Sequence, residues 1–176
     1  MVFLRGRNPE SVVWPRFRKT VDGFAVRAVD ALLEVRVATS ADRAVDLFHA
    51  LLEDLSPAVS LSIDDYRSGA KWKGEGVALP DVRDAVARLK LPLATNAGAE
   101  ISVYTDDDQV TLTSLLGVHL YSRTERWIYL LRGKGLVERP RVPERSWRLG
   151  RGEFPSAPDM TLVLRAAAER LSLGET

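Results

Sequence analysis

The chain has 176 residues, 45% hydrophobic and 28% charged, with a net charge of +1 and no cysteine. That length suits one domain with an appended segment, and the apolar share is enough for a core. The absence of cysteine excludes disulfides, thiolate metal sites and cysteine nucleophiles, and no apolar run approaches the roughly 18 residues of a spanning helix.

The N-terminus, MVFLRGRNPE, carries charge but no following apolar stretch or small-residue cleavage site, so neither a signal peptide nor a membrane association is expected and the location is read as cytoplasmic. Residues 5–19 mix arginine with Val12, Val13, Trp14 and Phe17. Asp22-Gly23 between extended residues is a hairpin signal, because glycine takes positive φ without steric penalty. Strands are therefore expected on both sides of it, with Pro15 pointing to an edge.

Residues 31–38 alternate, Leu33, Val35 and Val37 against Glu34 and Arg36, as a half-buried strand does. Ser40 then precedes a helix over 41–55 with the stripe Ala44, Val45, Phe48, Leu51, Leu52 and Leu55. Val59, Leu61 and Ile63 mark the next strand, and a further one carries Trp72 and Val77, with Gly74 and Gly76 suggesting a bulge. Pro80 opens a helix striped by Val82, Ala85, Val86 and Leu89, and Pro92 is read as its end. Ile101 and Val103, then Val110 and Leu112, form two strands around the turn Asp106-Asp107-Asp108.

Ser122-Arg123-Thr124-Glu125 fits a capping box for a helix over 123–132 that buries Trp127, Ile128 and Leu131 and stops at Gly133. Residues 139–158 form a basic, irregular connection containing Pro140, Pro143, Pro155 and Pro158. A last helix shows Met160, Val163, Leu164, Ala167 and Leu171 on one stripe and closes at Gly174.

The order strand, helix, strand, strand, helix, strand from 31 to 105 predicts an α+β fold. Its core is a ferredoxin-like (split βαβ) antiparallel sheet with helices on one face, extended by hairpin strands and the C-terminal helix. The expected organisation is a domain over 1–138, the connection 139–158, and a helix over 159–176 docked on the same domain.

Charge is segregated. Residues 1–19 hold five basic and one acidic residue, 20–122 nine and sixteen, and 123–151 nine and three. Trp14 lies beside Arg16 and Arg18, Trp72 between Lys71 and Lys73, and Trp147 between Arg145 and Arg148. Aromatic residues interleaved with cations suit an interface with an acidic surface.

Catalytic motifs such as G-x-S-x-G, the P-loop, G-x-G-x-x-G after a strand and H-E-x-x-H are missing. No catalytic residue, metal ligand or cofactor is assigned. Three consecutive aspartates cannot all face one ion in a simple turn, and the EF-hand spacing is lacking. His49, with Asp46 and Glu53 near it on its helix, reads as a surface ion-pair cluster, and His119 as a hydrogen-bonded strand residue.

The expected function is a non-catalytic protein-binding module, an accessory or inhibitor-like subunit. It would meet an acidic protein surface through Trp14, Arg16, Arg18, Arg139, Arg141, Arg145, Trp147 and Arg148. The alternative is nucleic-acid binding through residues 123–151. There, Leu130-Leu131-Arg132-Gly133-Lys134-Gly135-Leu136-Val137-Glu138-Arg139 resembles the end of a recognition helix and the first wing strand of winged-helix DNA-binding domains. That resemblance implies phosphate contacts by Arg141, Arg145 and Arg148. A third reading is a divalent-metal enzyme using Asp64, Asp65 or Asp106 to Asp108.

Overall fold

The computed structural model describes residues 22–142, 154 and 156–176. Eight antiparallel strands form one sheet: β1 (Gly23–Val29), β2 (Leu32–Ala38), β3 (Ala58–Asp65), β4 (Lys71–Ala78), β5 (Ala99–Tyr104), β6 (Asp108–Leu112), β7 (Val118–Ser122) and β8 (Gly174–Glu175). Their order is β1-β2-β7-β6-β5-β3-β4-β8. Four helices accompany it among the described residues: α1 (Ala41–Leu51), α2 (Leu79–Asn96), α3 (Arg126–Gly133) and α4 (Pro158–Arg170).

The mixed α+β class is as expected, but the strand order does not follow the ferredoxin-like arrangement. That arrangement needs β4 between β2 and β3; here β7, β6 and β5 lie between them. Only β4-α2-β5 forms a split βαβ unit, with β3 between its two strands. The reason is physical: the order of elements along a chain does not decide which strand edges pair. The β5-β6-β7 meander, joined by short turns, fills the space under α1.

Alternation along each strand sends Val35, Val37, Val59, Leu61, Ile63, Ile101, Val103, Val110, Leu112, Val118 and Leu120 to one face, where all are buried. The helices cover that face: α1 packs on α2 and β6, and α4 on α2 and β3. Ion pairs join α2 to α1 through Lys90–Asp46 at 2.6 Å and to the 3-10 turn after α1 (Leu52–Asp54) through Arg83–Glu53. They engage the two carboxylates that His49 would have needed for a metal site.

Several boundaries differ from the sequence reading. Gly23 opens β1 rather than turning the chain; the tight turn is at Asp30-Ala31, with Asp30 at φ 53°. The expected strand before Asp22 lies outside the described residues. Helix α2 runs through Pro92 to Asn96, because Leu93 and Ala94 continue the buried stripe of Val86 and Leu89. That burial outweighs the one backbone bond a proline forfeits.

Helix α3 starts at Arg126, not 123. Ser122 Oγ accepts the Thr124 N–H at 3.1 Å and so holds a turn ahead of the helix. Gly133 is the last residue of the helix, and the left-handed residue that terminates it is Gly135 (φ 78°): Leu136 N–H reaches the Leu131 carbonyl at 3.1 Å and the Leu136 side chain is buried, a Schellman ending. Ser172 (φ 54°) plays the same part for α4, so Gly174 is free to start β8.

Candidate partner-binding surface

The face of the sheet away from the helices is polar. Arg27, Glu34, Tyr121, Gln109, Tyr104 and Ser60 are successive cross-strand neighbours in one row. Arg36, His119, Thr111, Ser102, Ser62 and Lys73 form the next. His119 is thus a residue of this face, opposite Arg36 and Thr111. Trp72, by contrast, faces the core at 3% exposure, while Lys71 and Lys73 point the other way. It therefore leaves the set of interface tryptophans.

At the β1 end of this face Glu34, 4% exposed, accepts from Arg36 Nε at 3.0 Å and Nη2 at 2.9 Å, and from Tyr121 Oη at 2.9 Å. Arg27 Nε stands 4.0 Å away. Burial pushes the Glu34 carboxyl up, but the Arg36 and Tyr121 hydrogen bonds and the charges of Arg36 and Arg27 outweigh it, and the net shift is downward. Burial, then the neighbouring Glu34, raises the Tyr121 hydroxyl.

The basic segment after α3 docks on the same corner. Phe24 N–H donates to the Val137 carbonyl at 3.0 Å and Arg139 N–H to the Phe24 carbonyl at 2.8 Å, a single parallel bridge on the β1 edge. The Arg139 side chain lies over Gly23, where a Cβ would come within 2.8 Å of its Nε and 2.9 Å of the Val137 carbonyl. Gly23 is therefore required by close approach. Gly23 and Arg27 share the polar face, about 13 Å apart at strand spacing. Arg139 Nε is buried without an acceptor among the described residues. Arg141 is exposed, and so are Val137 (58%) and Tyr129 (63%).

Two carboxylates at this corner are occupied. Asp22 accepts from Thr39 Oγ1 at 2.6 Å and from Arg43, whose other nitrogen reaches the Lys134 carbonyl at 2.7 Å. Burial raises the Asp22 carboxyl; the bonds from Thr39 and Arg43 overcome this and lower it. Glu138 pairs with Arg132 at 2.5 Å.

Of the residues assigned to the interface from sequence, Arg139 and Arg141 are brought to this corner. Trp14, Arg16, Arg18, Arg145, Trp147 and Arg148 lie outside the described residues. Asp22, where the described chain begins, directly precedes β1, and Arg139, three residues before Val142, is bonded to Phe24. Arg27 was missed by the sequence reading. Its signal was its place on the polar phase of an alternating run next to a tight turn.

Within residues 123–151, the segment of the nucleic-acid alternative, several cations are paired inside the fold. Arg123 pairs with Asp107 at 3.3 Å, Arg126 with Asp108 at 2.6 Å and Arg132 with Glu138, while Trp127 is fully buried. The acidic turn borders a cleft of about 310 Å³ lined by Asp54, Ser56, Thr105, Asp106, Asp107, Asp108 and Arg126. The Asp108 side chain, 7% exposed, accepts from Trp127 Nε1 at 2.8 Å and Arg126 Nη2 at 2.6 Å.

Asp64 pairs with Lys71 at 2.9 Å, and fully buried Asp65 accepts from Ser68 Oγ at 2.7 Å, Thr161 Oγ1 at 2.8 Å and the Arg67 N–H at 3.0 Å. Asp65 thus ties the β3-β4 turn to α4. Among the described residues no group of three or more histidines and carboxylates is arranged to hold a metal ion. No protein-family model, curated protein or solved structure matches this chain.

Proposed function

We propose that the protein is a non-catalytic protein-binding module, an accessory or inhibitor-like subunit, that receives an acidic partner at the β1 corner. One observation supports the reading: Asp22, which follows the basic residues 1–19 in the chain, directly precedes β1, and Arg139, within the basic residues 123–151, is bonded to that same edge strand at Phe24. Trp14, Arg16 and Arg18 precede Asp22 by four to eight residues, and Arg145, Trp147 and Arg148 follow Val142 by three to six. The corner itself adds Arg27 and Arg139, with Asp22 and Glu138 already engaged.

Clustered arginine suits carboxylate recognition through its planar fork, and exposed Tyr129 and Val137 add the apolar contact such interfaces use. The test is affinity capture from a cell extract with the tagged chain and with its Arg27→Glu/Arg139→Glu/Arg141→Glu variant, with a duplex DNA titration alongside. The reading predicts acidic proteins retained by the parent and lost by the variant. Empty captures together with tight, steeply salt-dependent DNA binding would replace it by the nucleic-acid reading.

A further inference from the structure

The two edges of the sheet are treated differently. On β4, Thr176 N–H bonds the Lys71 carbonyl and β8 pairs with Trp72 and Lys73; the strand is irregular between Val59 and Leu61 of its partner and has Gly76 at φ 64°. A short cover strand, a bulge and lysines are the usual means of blunting an edge. Among the described residues the β1 edge has none of these. Its seven residues pair with β2 in unbroken register, and the strap at 137–139 meets it at Phe24 alone.

Alternation then decides where the remaining groups point. Phe24 directs its N–H and carbonyl outward to the strap, so Val26 and Ala28, at the same phase, direct theirs outward too. No described residue takes them up.

We infer that an extended acidic segment of the partner docks by adding a strand to β1 along Val26 and Ala28, its carboxylates reaching Arg27, Arg139 and Arg141. Main-chain hydrogen bonds would supply affinity and the cations selectivity, as in other strand additions. The same charges argue against a second copy of this chain as occupant. Two-fold pairing of β1 would bring Arg27 and the basic strap of both copies to one seam, and like charges across a sheet are unfavourable. The inference rests on the protein-binding reading above and specifies how that surface binds.

The probe is a peptide of about eight residues alternating valine and glutamate, one strand in length. It is compared with a copy N-methylated at alternate residues, which keeps the charge but loses the outward donors of one edge. Binding to the full chain is followed by anisotropy and by amide exchange at Val26 and Ala28.

The inference predicts that the peptide slows exchange at these two amides. N-methylation of the edge facing β1 should weaken binding by about tenfold or more, consistent with the loss of two hydrogen bonds. Ala28→Pro, which removes only an outward donor, should weaken the unmodified peptide similarly. Should that variant misfold, the N-methylated peptide still decides.

Equal binding of both peptides with no protection at Val26 and Ala28 would overturn strand addition while leaving the acidic-partner reading standing. Amides already protected in the free protein would overturn it in favour of the chain's own N-terminal segment. Protection that rises with protein concentration alone would overturn it in favour of a second copy. Failure of the acidic peptide to bind at all, while acidic proteins are still captured by the parent chain and lost by the charge variant, would likewise overturn strand addition but not the surface.

Discussion

Replacing Asp108 by alanine tests how α3 is held against the sheet. The Asp108 carboxylate is 7% exposed and accepts two bonds, one from the indole of Trp127, which is fully buried, and one from Arg126, which is 40% exposed. Without the carboxylate the indole N–H is buried and unpaired, which costs about 1–3 kcal/mol. Arg126 recovers much of its lost bond from water, so its share is below about 1 kcal/mol. The sum is about 1–4 kcal/mol, a drop in Tm of roughly 2–16 °C at the 2–4 °C per kcal/mol typical of this size.

Asp108→Asn keeps an acceptor for the indole and should cost about 1 kcal/mol or less. The double variant Asp108→Ala/Trp127→Phe should cost less than the sum of the single changes by about 1–2 kcal/mol, since the orphaned donor is gone. Urea unfolding followed by circular dichroism measures all four. An Asn variant as damaging as the Ala variant, or a coupling near zero, would refute the hydrogen-bond argument and make the ion pair or the turn itself responsible.

Three further outcomes are expected. Ala97 closes α2 at φ 51° and ψ −154°, a region that penalises a Cβ by about 1–3 kcal/mol. Ala97→Gly should therefore raise stability by about 0.5 kcal/mol after the loss of a buried methyl and of chain stiffness; a fall of 1 kcal/mol or more in chemical denaturation would contradict the strain. Gly23→Ala places a Cβ against Arg139 and the Val137 carbonyl, so amide exchange of Phe24 and Arg139 should quicken as the strap lifts. Unchanged exchange would show that the strap is not seated on Gly23.

The carboxyls of Asp22 and Glu34 are lowered in the fold, so the unfolded chain binds protons more readily. Their stabilisation is complete above the ordinary carboxylate range near pH 4 and is lost as pH falls through the lower folded values. Glu34→Gln should flatten the acid limb of a stability-against-pH curve, and an unchanged limb would reject the assignment.

The strands were legible wherever one face is buried: Val59, Leu61 and Ile63 alternate with serine and aspartate because the described helices all lie on one side of the sheet. Strand order was not, since β2 pairs with β7, more than eighty residues later, and nothing local encodes that edge. Pro92 and Gly133 misled because local preference yielded to buried Leu93 and Leu136. Asp108 was read as a turn residue, although it shares the phase of Val110 and Leu112 and so had to point inward. At the β1 corner the charge of Arg139 and Arg141 could be read from the sequence, but not their position beside β1. The docking of residues 137–139 on β1 was not legible, because it depends on one long-range bridge to Phe24.

The most direct test of the account is charge reversal at that corner. Anisotropy titrations of the valine–glutamate peptide and of its valine–lysine counterpart are made against the parent chain and against Arg27→Glu/Arg139→Glu/Arg141→Glu. The account predicts that the parent prefers the acidic peptide, that the preference weakens with salt, and that the variant prefers the lysine peptide. An unchanged preference in a folded variant would contradict it.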